Sequence, residues 1–112
     1  MTATTILYDK VIFTKHPEGK KGACISKDDY VQLRESILTV LEQTDRITLP
    51  ELIDIIQRNL PLDGHANIAW RILVVKLDLE AKGLIRSVPN RLDRYMVHLK
   101  LNRRELRRLK AA

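Results

Sequence analysis

Cysteine is almost missing. Cys24 stands alone among 112 residues, so no internal disulfide can form, and a lone thiol suits a reducing compartment. Metal-ligand spacing is missing too: His16, His65 and His98 are scattered, and none pairs with another histidine or with Cys24 at the short spacings that hold zinc. No metal or cofactor is expected. No apolar run reaches the ~20 residues that cross a bilayer, and the start, Met1-Thr-Ala-Thr-Thr, lacks the basic and then apolar stretch of an export signal. The expectation is a cytoplasmic protein without membrane contact. Gly19-Lys-Lys-Gly22 is too short for a nucleotide phosphate loop and reads as a turn, so no small-molecule ligand is expected. No carboxylate pair stands in an apolar setting, and the sequence places no base beside Cys24, which reads as a small, half-buried thiol at a loop-to-helix entry. No catalytic residue is assigned, and an enzyme is not expected.

What is present is an ordinary globular balance, 45% hydrophobic and 30% charged, enough to fold around a core. The length fits one domain over 1–112, divided into an N-terminal strand and loop (1–25), a core (26–99) and a basic C-terminal helix (100–112). The charge is lopsided. Residues 1–85 carry 11 Lys/Arg against 12 Asp/Glu, whereas residues 86–112 carry 9 against 2, a net +7. Cations gathered at one end are the footprint of a surface that faces a polyanion, because they displace counterions from phosphates. The plainer alternative is a solvated basic helix that serves solubility.

Along the chain, β-formers from Ile6 to Phe13 predict a strand, and Lys15 to Gly22 a loop. Ser26-Lys-Asp-Asp29 opens a helix that runs to about Gln43 and buries Tyr30, Leu33, Ile37, Leu38 and Leu41 on one face. Ile47 is placed to bridge into a sheet. Thr48-Leu-Pro-Glu51 is a capping box for a second helix that Pro61 stops. A third helix from about Ala66 to Lys82 ends at Gly83, with one polar stripe of Asn67, Arg71, Asp78 and Lys82, and with Lys76 and Glu80 isolated on the far side. The rest of it is apolar, more than one small core hides, so that surface is expected to meet the N-terminal strand or a second copy in a homodimer. Trp70 is expected in the core or at that contact. Leu84 to Val88 and Arg94 to Leu99 predict a hairpin with Ile85, Val97 and Leu99 inward, and Asn102-Arg-Arg-Glu105 caps a short final helix.

The fold class is therefore mainly α with a small β-sheet (α+β). Helix, helix, longer helix, hairpin, together with the junction Leu77-Asp-Leu-Glu-Ala-Lys-Gly-Leu-Ile85, resembles a winged helix-turn-helix over residues 26–99, as in many bacterial regulators. His16-Pro-Glu-Gly-Lys-Lys-Gly22, Ile25-Ser-Lys, Trp70 and Leu77 to Gly83 are similar to a family of small bacterial proteins of unknown function. The winged-helix resemblance implies a third helix in the DNA major groove and a wing on the backbone. Asn67 and Arg71 are the candidates for base edges; Arg86, Arg91, Arg94, Arg103, Arg104, Arg107 and Arg108 are the candidates for phosphates. Asp78, on the same stripe as Arg71, would repel phosphates there. DNA is expected as partner more than RNA. The alternative is a module of the same fold that docks on protein or RNA without reading DNA sequence.

Overall fold

A computed structural model describes residues 11–20, 22–59, 68–89, 92 and 97–111. The predicted start of the first strand, the Pro61 stop, the hairpin turn, Asn67, Arg91 and Arg94 lie outside the described residues. The elements in chain order are β1 (Val11–Phe13), β2 (Cys24–Ser26), α1 (Lys27–Gln43), β3 (Ile47–Thr48), α2 (Leu49–Asn59), α3 (Ile68–Ala81), β4 (Ile85–Pro89), β5 (Val97–Leu101) and α4 (Arg103–Ala111). The architecture is mixed α+β, with helices around two small antiparallel sheets, β1-β2 and β3-β5-β4.

Local chemistry sets the helix ends. Ser26 caps α1 by accepting from the Asp29 N–H at 3.1 Å, while Asp28 and Asp29 sit at the helix's positive end. At α2 the Glu51 N–H donates to Thr48 Oγ1 and the Thr48 N–H donates to Glu51 Oε1, each at 3.3 Å, which closes the capping box. α3 stops because Gly83 takes a φ of +81°, which a side chain resists. The Leu84 and Gly83 N–H groups then turn back onto the Leu79 and Glu80 carbonyls.

The core lies between α1, α2, α3 and the larger sheet, where Leu33, Ile37, Leu52, Ile72, Val75 and Leu79 have no exposed surface. Each such side chain contributes about 1.5–3 kcal/mol of transfer free energy. Ile47 pairs with Leu99, making β3 the third strand beside the hairpin. β5 runs two residues beyond the predicted end, because Leu101 pairs opposite Ile85 and both side chains are buried. Val97, expected inward, is 43% exposed at the far end of the hairpin.

Several side chains depart from the sequence reading. β2 is a strand where none was predicted; it pairs with β1 through Ile12↔Ile25, and the two chains approach so closely that a Cβ on Gly22 would lie 1.8 Å from the Thr14 carbonyl oxygen. Cys24, on this strand's outer face, is exposed rather than half-buried. The surplus apolar surface of α3 meets this N-terminal hairpin: Thr14, Lys15, His16, Gly22 and Ala23 wall a 280 Å³ pocket floored by Trp70, Leu73, Val74 and Leu77. Trp70 stays half exposed, not in the core. Asp78 is fully buried rather than on an outer stripe, and Lys76 is buried against Glu80, with 2.6 Å between their charged atoms.

Candidate functional site

The antiparallel register sets Arg86 on β4 directly opposite Lys100 on β5, and the alternation that turns Ile85 and Leu101 into the core turns this pair outward. Like charges directly opposite on a sheet destabilise it. At the end of β5 the chain passes through Asn102 into α4, whose first turn carries Arg103 and Arg104 at the positive end of the helix, where cations are again disfavoured. All of them line one groove of about 580 Å³, together with Val88, Leu101 and Asn102 and, among the described residues, no carboxylate. Arg103 donates to the Glu42 carbonyl oxygen at 3.1 Å. Among the described residues, Arg86, Lys100 and Arg104 make no ion pair or side-chain hydrogen bond. Cations held in electrostatically poor positions without counter-charge make a surface that gains from an anion.

Asn102 builds the joint. Its side-chain carbonyl accepts from the Glu105 N–H at 3.2 Å, its amide donates to the Gly83 carbonyl at 2.9 Å, and its backbone N–H donates to Leu84 O at 2.8 Å. Leu106 is buried, seating α4 against α1. The groove therefore stands on rigid neighbours.

The structure brings together only part of the predicted set. Arg86, Arg103 and Arg104 share the groove. Arg107 is exposed on α4, and Arg108 is held by Glu105 at 2.6 Å. Lys100 was not singled out from sequence; the signal for it is the strand register, which places it across from Arg86. Arg71 pairs with Asp29 of α1 at 2.9 Å, with 28% and 20% of the two side chains exposed.

The Asp78 carboxylate accepts from the Lys15 backbone N–H at 2.9 Å on one oxygen, and from the Tyr30 hydroxyl and Lys82 on the other. Burial alone would raise its pKa, but the bonds from Lys82, Tyr30 and Lys15 outweigh that and hold it below the ordinary value. Tyr30 is pushed up, first by burial and then by its bond to Asp78. Lys82, which burial would lower, is raised by Asp78 and Tyr30. With every partner committed, this cluster pins the N-terminal hairpin to α3 and α1, and it presents no free base or nucleophile.

Among the described residues no group of three or more His, Cys, Asp or Glu is placed to hold a metal ion. No helix among them is long and apolar enough to cross a membrane. Residues 11–95 match a family of unknown function (DUF6958). No curated protein and no solved structure matches the chain. The matched span contains Arg86 and ends before Lys100, Arg103 and Arg104.

Proposed function

The chain belongs to that family of unknown function, and from its own geometry we propose that it is a winged-helix protein that binds DNA, with the β4-β5 wing and α4 on the phosphate backbone. The order α1, β3, α2, α3, β4, β5, with the short β3 paired to the second strand of the hairpin, supports the winged-helix reading. The observation that carries the DNA reading is the groove itself: Arg86, Lys100, Arg103 and Arg104 converge without a carboxylate among its described lining residues. A duplex backbone supplies the missing negative charge, and the release of its counterions drives binding. No catalytic step belongs to this reading.

A titration of fluorescent duplex DNA at 50 and 200 mM salt tests it. Phosphate contacts from four cations give a log–log salt slope of about −3.6, so affinity falls about a hundredfold across that range. Arg86→Gln with Lys100→Gln should bring the slope up by nearly two units. Absence of duplex binding at low salt overturns the proposal. The runner-up, a module that docks on protein, draws on half-exposed Trp70 at the edge of the α3 pocket. It predicts that Trp70→Ala abolishes partner capture while the groove variants leave it intact.

A further inference from the structure

We infer that the DNA contact is made to the backbone alone, so that duplexes of any sequence bind alike, because α3 is enclosed by its own chain. The inference rests on the DNA-binding reading and narrows its partner. In that reading α3 holds the place of the helix that enters the major groove, and a reading helix needs an exposed polar face about its own width, since helix and groove are both about 12 Å across. α3 offers no such face. Ile72, Val75 and Leu79 are in the core, Val74 and Lys76 are nearly fully covered, and Asp78 is buried beneath Tyr30. Among its described residues only Ala69 and Trp70 are exposed, and neither carries the paired donors and acceptors that distinguish base edges.

Two contacts keep the helix closed. The N-terminal hairpin lies along Trp70, Leu73, Val74 and Leu77, fastened by the Lys15 N–H to Asp78. Any duplex approaching that side meets the hairpin first. On the α1 side Arg71 is held by Asp29 in a pair largely shielded from water, so turning it toward a guanine would strip Asp29 of its partner. The unneutralised cations are instead on Arg86, Lys100, Arg103 and Arg104, spread over strand and helix ends, where they meet phosphates. Phosphate contacts carry no sequence information.

The test uses the full chain, a random duplex library taken through several rounds of selection, and titrations with three unrelated duplexes. No consensus should emerge, and the three dissociation constants should agree within about threefold, whereas one bidentate base contact discriminates by about ten- to a hundredfold. Asn67→Ala, Trp70→Ala and Arg71→Ala should leave affinity unchanged on every duplex, with circular dichroism reporting that each variant is folded. Asn67 and Trp70 keep the test open if Arg71→Ala unfolds the chain. A reproducible consensus with at least tenfold preference overturns this inference and leaves DNA binding standing. Failure to bind any duplex overturns DNA binding and this inference with it.

Discussion

A carboxylate with no solvent contact persists at position 78 because each of its oxygens has a donor: the Lys15 N–H on one, Tyr30 and Lys82 on the other. Asp78→Asn removes the charge that Lys82 and Tyr30 answer, and it should lower stability by about 2–4 kcal/mol at neutral pH in urea unfolding, the partly exposed Lys82 head being able to turn to water. The pH dependence follows from the directions of the shifts. A carboxyl whose folded pKa lies below its ordinary 3.8 contributes stability that is present above that value and is lost as pH falls through the folded one. The gap between parent and Asp78→Asn should therefore close below about pH 4. Tyr30 and Lys82 are both raised, so their contribution holds at neutral pH and is lost only as pH rises past 10. Between these limits the stability gap between parent and Asp78→Asn should be flat, and a step in that gap near pH 6 contradicts this account of the cluster.

The joint between β5 and α4 ties stability to the groove. Asn102 caps α4, holds Gly83 and fixes the path of the chain just before Arg103, so Asn102→Ala should cost about 1–2 kcal/mol and also weaken duplex binding, although the mutated side chain carries no charge. Melting temperature and anisotropy on the same preparation check both effects; unchanged binding would mean that the groove does not depend on the cap. That cap was legible in the sequence, as were those at Ser26 and Thr48, because a cap is a contact over three residues and needs no knowledge of the fold. That Ile47 bridges into a sheet was legible for a similar reason, as an isolated β-branched residue between two helix signals, whereas its partner, Leu99 of the hairpin, is supplied by the structure. Less local features were not. β2 is three residues long with one inward apolar side chain, Ile25, so it shows no alternation, and its pairing depends on the close approach at Gly22. Arg71 and Asp78 do share a side of α3, but periodicity does not say whether a stripe faces water or another helix, and here Tyr30 and Asp29 on α1 receive Asp78 and Arg71.

Across the whole molecule, the described cations of residues 86–112 divide into those paired with a carboxylate and those that are not. Arg108 spends its guanidinium on Glu105 and Lys110 lies 3.8 Å from Glu42, while Leu106 and Leu109 turn the neighbouring face of α4 toward Leu38 of α1. Arg103, although its guanidinium donates to the Glu42 carbonyl oxygen, and Arg104 line the groove with Arg86 and Lys100 and pair with no carboxylate among the described residues. Sequence alone treats the tail arginines as equivalent, since all four lie on one short helix; the structure separates them by what they face. If phosphates lie in the groove, Arg103→Gln with Arg104→Gln should raise the salt slope by nearly two units and weaken binding to every duplex. Arg107→Gln with Arg108→Gln removes the same formal charge from a part of the helix outside the groove, so its effect should be confined to a small, nonlocal loss that vanishes by 200 mM salt, where the screening length is shorter than about 10 Å. Because the two variants match in net charge, general attraction to a polyanion predicts equal losses and a seated backbone predicts unequal ones. Equal slopes in the two titrations would reduce the groove to part of a diffuse basic surface.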